Sequence, residues 1–177
     1  MVVKVEPKEI VPITVPVQEY ALPGVMAYDI IVRPDERGFF AEALRLDWGN
    51  LVLQDKILQA NISHSYPGMI RAWHRHNRGQ IDYFIVLKGA MKICAYDEKS
   101  KQIVEIVASE KRLQVVRIPG FYWHGTKTVS SEPSLTVYLT TRTYDYKNPD
   151  EERIPWNAEF VIAKTGKPFD WNAPPHK

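Results

Sequence analysis

The chain has one cysteine, Cys94. No intrachain disulfide can form, so the fold has to rest on its core, and a reducing cytoplasm is the expected compartment. Cys94 sits in an apolar alternating run and reads as a small buried hydrophobe. Long apolar runs are missing too, and none approaches the roughly 20 residues a membrane-spanning helix needs. Charge of one sign is not in excess, the formal net charge being +2. That leaves no electrostatic footprint for nucleic acid or an anionic membrane. The opening residues, Met1-Val2-Val3-Lys4-Val5-Glu6, alternate apolar and charged side chains and lack the apolar centre of a signal peptide. There is no internal repeat and no low-complexity segment. What remains is 177 residues, read as one domain over 1–177 with enough mass for a substantial core.

The pattern that fills this length is strand-like. Tyr83 to Leu87 is a short continuous apolar run ending at Lys88-Gly89, as expected of a strand buried on both faces. Met91 to Tyr96 follows, closed by the polar turn Asp97-Glu98-Lys99-Ser100. Gln102 to Ala108 alternates, with Ile103, Glu105 and Val107 on one face and Val104 and Ile106 on the other. Leu113 to Ile118 ends at Pro119-Gly120, and Leu135 to Thr141 is β-branched and alternating. Turn signals recur about every ten residues, the spacing of a sandwich or barrel. The fold class is therefore all-β. The first twenty residues carry Val-Pro pairs and suit an edge or exchanged strand. The segment from Asn148 holds five prolines and two tryptophans. It is expected to wrap the barrel as turns and short helical pieces, with about a dozen mobile residues at its end.

Three histidines stand out against this background. His74 and His76 are two apart, so in a strand they face the same way. His124 follows a Pro-Gly turn about fifty residues on and can join them from a neighbouring strand. A small cavity lined by imidazoles suits either metal binding or proton transfer on a ligand. Gly68-x5-His74-x-His76, then Gln80 and the later His124, resembles the general pattern of the cupins, which are small double-stranded β-helix (jelly-roll) barrels. In metal-binding cupins a Glu stands where this chain has Gln80. A metal-dependent reading would use His74, His76, Gln80 and His124 to hold Fe, Mn, Ni or Zn.

A second resemblance spans Arg37 to Trp156. Asp35-Glu36-Arg37-Gly38-Phe39-Phe40-Ala41-Glu42 is similar to the Arg-Gly-x-Phe-x-Glu signature of the dTDP-4-dehydrorhamnose 3,5-epimerases. Gln59-Ala60-Asn61-Ile62-Ser63 resembles that family's Gln-x-Asn-x-Ser strand. Gly68-Met69-Ile70-Arg71-Ala72-Trp73-His74 resembles its Gly-x-x-Arg-Gly-x-His. Ile118 to Gly125 is similar to its Ile-Pro-x-Gly-x-x-His-Gly, with the glycine one place early, and Val137-Tyr138 resembles its tyrosine-bearing strand. Asn148-Pro149-Asp150-Glu151 and Ile154-Pro155-Trp156 follow in the same order.

This resemblance implies a cupin-type barrel with a short irregular C-terminal segment, assembled as a homodimer. It implies inversion at C3 and C5 of a dTDP-4-keto-6-deoxyhexose without a metal or other cofactor. His74 matches the base that removes a proton next to the C4 ketone, and Tyr138 the donor that returns one from the opposite face. Arg37, Glu42, Gln59, Asn61, Arg71 and His124 match positions that contact sugar, nucleotide or diphosphate.

Two positions depart from the family. Asp82 stands where the family has a Lys that stabilises the enolate oxygen; a carboxylate there repels the developing charge, unless burial protonates it or Arg75, His76 or Arg78 supplies the cation. Thr165 stands where an Asp orients the base, with Asp170 nearby. A sugar-nucleotide-binding protein without the chemistry is the further alternative. One local conflict also arises. Arg71 lies three residues from His74 and in a regular strand faces the other way, so both reach one ligand only through a bulge, a strong twist or a bend.

Overall fold

A computed structural model describes residues 10–173. Its described residues form thirteen strands, among them those that the two-residue periodicity marks between Tyr83 and Thr141. They form two facing antiparallel sheets with a small hairpin beside them. The first sheet runs, edge to edge, β1 (Val17–Glu19), β2 (Met26–Asp29), β10 (Gln114–Pro119), β7 (Ile81–Lys88), β12 (Ser134–Thr140) and β5 (Gln59–Ser65). The second runs β13 (Glu151–Arg153), β6 (Ile70–His76), β11 (Trp123–Thr128), β8 (Ala90–Asp97) and β9 (Gln102–Ser109). The hairpin is β3 (Val32–Asp35) with β4 (Gly38–Ala41), and the one helix among the described residues is the single turn α1 (Gly49–Val52). This is the expected jelly-roll barrel.

Alternation sorts side chains into three apolar layers. Between the sheets lie Phe84 and Val86 of β7, Ile93 and Ala95 of β8, and Val104 and Ile106 of β9. Tyr83 and Ile85, pointing the other way from β7, pack under Trp48, Leu51 and Val52 around α1. Ile103, Cys94, Trp73 and Trp123 face outward from the second sheet and are covered by Val161, Phe169 and Trp171 of the C-terminal segment. Strand β7 is thus buried on both faces, and Cys94 is fully buried, as the sequence predicts.

The ends differ from expectation in part. β1 is an edge strand, paired with β2 of its own chain; the first nine residues of the proposed exchange segment lie outside the described residues. The C-terminal segment does wrap the barrel, but as turns and β13, with no helix in its described part. Pro149, Pro155 and Pro168 deny it continuous helical hydrogen bonding. The expectation of about a dozen mobile terminal residues is wrong as far as Trp171. Phe169 and Trp171 are buried against Trp73, with ring centroids 5.5 and 4.8 Å away. Two aromatic side chains dock that stretch despite its loop-like composition.

The conflict between Arg71 and His74 is resolved by a bulge. His74 pairs with His124, but Arg71 pairs with Thr126, so three steps on β6 oppose two on β11. The close approach needs Gly125, where a Cβ would lie 2.3 Å from that of Ala72.

Candidate active site

The two sheets part at one end around a cavity of about 1040 Å³. Gln59 and Asn61 of β5, Asp82 and Phe84 of β7 and Tyr138 of β12 line it from the first sheet; Arg71, His74 and His76 of β6 line it from the second. The bulge is what lets Arg71 and His74 share this cavity.

The floor is a cluster of His74, His76, Asp82 and His124, which offer ligand atoms within 4.8 Å of one another. Asp82 is 2% exposed and His124 fully buried. His124 Nδ1 lies 2.9 Å from the backbone oxygen of Tyr122, which accepts its proton. His124 Nε2 lies 3.1 Å from Asp82 Oδ2. Gln80 Nε2 donates to Asp82 Oδ1 at 2.8 Å and sits 3.1 Å from His76 Nε2. This fixes the Gln80 amide with its nitrogen toward the cluster. The metal-reading ligand set therefore changes: Asp82, not Gln80, is the fourth residue that presents a lone pair.

His74 packs edge-on against His124, with ring centroids 4.1 Å apart. Burial holds its pKa well below the ordinary imidazole range, and the neighbouring charges of His124, His76 and Arg153 act the same way. His74 is thus a neutral imidazole at neutral pH. Among the described residues its ring has no hydrogen-bond partner. His76 is also shifted down by burial, partly offset by the charge of Asp82. Tyr138 stacks on Phe84, centroids 5.8 Å apart. Burial raises its pKa, and the charges of Asp82 and Glu151 add to that. The phenol therefore keeps its proton.

The polar rim is ordered. Arg71 donates to Ser65 Oγ at 2.9 Å and to the His64 carbonyl at 3.2 Å. Gln59 donates to Asn61 Oδ1 at 2.7 Å and accepts from the Tyr144 amide at 2.8 Å. Arg78, Arg142, Tyr144 and Asp150 also line the cavity. Of these, Asp150 lay within the Asn148-Pro149-Asp150-Glu151 match, and Arg78 was foreseen as a possible cation. Arg142 and Tyr144 carried no sequence signal.

Several foreseen residues lie elsewhere. Arg37 is at the exposed hairpin tip, bonded to Asp35 at 2.6 Å. Glu42 pairs with Arg45 at 2.7 Å. Neither lines the cavity of its own chain. His124 completes the floor from beneath: it is fully buried, bonded to Asp82 and packed on His74, and it is not among the residues whose surface lines the cavity. Arg75 cannot replace the family's lysine: it points to the outer face, bonded to Glu152 and lying over Trp123. Thr165 is exposed in the covering segment, and Asp170 caps the Asn172 amide. Neither orients His74.

The family model described as polysaccharide biosynthesis C-terminal domain matches residues 33–152. The chain is 40% identical over 153 residues to the probable low-salt glycan biosynthesis epimerase Agl13 of Haloferax volcanii, covering 84% of this chain and 93% of that protein. Among solved structures, the dTDP-4-dehydrorhamnose 3,5-epimerase of Sulfolobus tokodaii superposes with a TM-score of 0.69 at 26% identity, covering 89% of this chain and 87% of the other. The epimerase RmlC of Legionella pneumophila, in complex with dTDP-4-keto-L-rhamnose, superposes with a TM-score of 0.73 at 23% identity, covering 83% and 81%.

Proposed function

We infer the function from one premise: this chain belongs to the polysaccharide biosynthesis C-terminal domain family and has the fold of the dTDP-4-dehydrorhamnose 3,5-epimerases. It is a carbohydrate epimerase, and its substrate is a dTDP-4-keto-6-deoxyhexose. The observation that carries this is the pairing of His74 and Tyr138. They line one cavity from opposite sheets, the imidazole neutral and the phenol protonated.

The chemistry follows from that placement. The C4 ketone acidifies the C–H bonds at C3 and C5. His74 takes the proton from one face of the ring, and the bonding electrons move into the C3–C4 or C4–C5 bond and onto the ketone oxygen. The Tyr138 phenol then returns a proton to the same carbon from the other face, inverting it. A positioned base and acid each contribute about 10²–10⁴-fold. Arg71 and Arg142 on the rim are the groups that suit the diphosphate, because a guanidinium fork gives two hydrogen bonds to phosphate oxygens. Gln59 and Asn61 supply neutral polar contacts beside them.

The chain acts as a homodimer in this reading. Phe39 and Phe40 on the β3–β4 hairpin are 64% and 63% exposed, and Val32 on the same hairpin is exposed as well. An apolar patch of that kind favours coverage by another protein surface. Pairing also gives Arg37 and Glu42, remote from their own chain's cavity, a surface to act on. A cytoplasmic location rests on the single cysteine.

Deuterium wash-in from solvent into a dTDP-4-keto-6-deoxyhexose tests the activity. Wild type should label C3 or C5, and His74→Asn should abolish labelling at every carbon that reacts. Tight dTDP binding with no wash-in in wild type would reduce the protein to a binder.

A further inference from the structure

Hydrogen-bond direction fixes where the protons of the cavity floor lie. A backbone carbonyl only accepts, so the Tyr122 oxygen, 2.9 Å from His124 Nδ1, places a proton on that nitrogen. With that proton alone, the His124 ring would turn a lone pair on Nε2 toward Asp82 Oδ2, 3.1 Å away. An ionised carboxylate has only lone pairs to offer in return. Two buried acceptors in such a contact repel each other, whereas a proton between them makes it a charge-assisted hydrogen bond. The pair therefore holds one proton between Nε2 and Oδ2 and carries no net charge.

Gln80 orders the rest of the floor. Its amino group gives one N–H to Asp82 Oδ1 at 2.8 Å and the other to His76 Nε2 at 3.1 Å. His76 Nε2 is thus an acceptor already engaged, and at 3.7 Å it supplies nothing to Asp82 Oδ2. The place of the shared proton matches the reaction. Asp82 lines the cavity, with His124 buried beneath it. A ring nitrogen of His74 and a carboxyl oxygen of Asp82 lie within 4.8 Å of each other. A base sits about 3–3.5 Å from the carbon it attacks, and an acid about 2.6–3.2 Å from the oxygen it protonates. That carbon and the ketone oxygen are separated by two bonds, so base and acid have to be near neighbours, as these two are. A carboxylic acid held in protonated form at a buried site is a working component of an oxyanion hole.

We propose that Asp82 is a further catalytic residue, the acid that protonates the ketone oxygen while His74 removes the carbon-bound proton, and that His124 is the positioning residue that holds the acid's proton in place. The step balances. The C–H bond breaks and its electrons form the enol double bond; the Asp82 O–H bond breaks and an O–H bond forms on the ketone oxygen. Asp82 and His124 are then two facing acceptors, and their repulsion draws the proton back when Tyr138 protonates the carbon. The carboxyl group that stands where the epimerases have a lysine thus relieves the enolate charge by giving a proton. The proton on the floor stands on hydrogen-bond geometry alone, while its transfer to the ketone oxygen rests on the epimerase reading.

The test begins with ¹⁵N-histidine NMR of the wild-type protein at neutral pH. The His124 Nε2 signal should be displaced from that of a bare acceptor nitrogen toward that of a protonated one; a bare-acceptor signal overturns the shared proton. Asp82→Asn is isosteric, its amide able to donate to His124 and accept from Gln80, yet it has no proton to give. It should slow deuterium wash-in by ~10²–10⁴-fold and bind dTDP within a few-fold of wild type, with circular dichroism confirming the fold. Wash-in unchanged in Asp82→Asn overturns the transfer and leaves the epimerase reading standing. Contact with the ketone is read from a dTDP-4-keto-6-deoxyhexose labelled with ¹³C at C4 and bound to His74→Asn, which holds it unreacted. Its carbonyl signal should lie downfield of the signal in the His74→Asn, Asp82→Asn double variant, and equal signals overturn the contact. A protonated His124 Nε2 with no wash-in by wild type keeps the proton pair and defeats the epimerase reading.

Discussion

The chemistry turns on a few side chains whose ionisation the barrel sets. Tyr138 donates only while protonated, and its pKa is raised by burial and by the charges of Asp82 and Glu151. A raised pKa keeps the active acid form present at neutral pH and loses it only at alkaline pH. The alkaline limb of kcat/KM should therefore lie above the ordinary tyrosine value of 10.0, as a pH–rate profile will measure. Tyr138→Phe should spare proton abstraction and cut formation of the inverted product by ~10²–10⁴-fold. Arg71 and Arg75 make a paired control, four residues apart on opposite faces of β6. Arg71→Ala should weaken binding of dTDP by about 1.5–3 kcal/mol, roughly ten- to a hundredfold, in calorimetry. Arg75→Ala should leave that affinity alone, because its partners are Glu152 and Trp123 on the outer face. The same pair marks the limit of sequence reasoning here, since only register decides which arginine reaches the cavity.

Among the elements, the β6–β11 seam presents the site. The three-residue separation of Arg71 and His74 made an irregularity there legible in the sequence, although its position opposite Gly125 was not. Gly125→Ala forces its Cβ into Ala72 and the Arg71 carbonyl, 2.3 and 2.8 Å away. It should destabilise the fold by about 1–3 kcal/mol, read as a lower urea midpoint, and slow wash-in by displacing Arg71 and His74 together. A second seam holds the opposite sheet. Arg117 of β10 is buried and bonded to Asp55 at 2.8 Å, with Tyr83 of β7 donating to the same carboxylate. Asp55→Ala leaves that buried guanidinium without its counter-charge, holding only the Gly24 carbonyl and the Tyr83 hydroxyl, and should cost about 3–5 kcal/mol in urea denaturation. No sequence signal pointed to this network, because Asp55 and Arg117 are 62 residues apart and each reads as an ordinary surface charge.

For the molecule as a whole, the strand pattern was readable because alternation is a local property. The five strands read between Tyr83 and Thr141 are where the periodicity puts them, within a residue or two at their ends, while β11 was foreseen only as a neighbouring strand carrying His124. The floor of the cavity was not readable in the same way. His74, His76 and His124 could be grouped by spacing and resemblance, but the bond from Asp82 to His124 spans 42 residues and joins the two sheets. It exists only once the barrel has closed. Assembly is a further property of this scale. Replacing Phe39 and Phe40 with Asp should convert a dimer to a monomer in light scattering and lower wash-in, if the hairpin is the shared surface.

Cys94 has one more use, and it comes from the segment that covers it. The thiol is fully buried beneath Phe169 and Trp171, and burial pushes its pKa well above 9.0. It can meet a disulfide reagent only when that cover lifts. Where opening and reclosing are fast relative to labelling, the labelling rate is the intrinsic thiol rate multiplied by the open fraction, so each ~1.4 kcal/mol of docking free energy slows the reagent tenfold. Trp171→Ala, which removes about 3–5 kcal/mol of packing, should accelerate labelling by orders of magnitude while wash-in at the far side of the sheet changes little. The one sulfhydryl in this chain is thus a kinetic gauge, already in place, of how often the last segment lets go of the barrel.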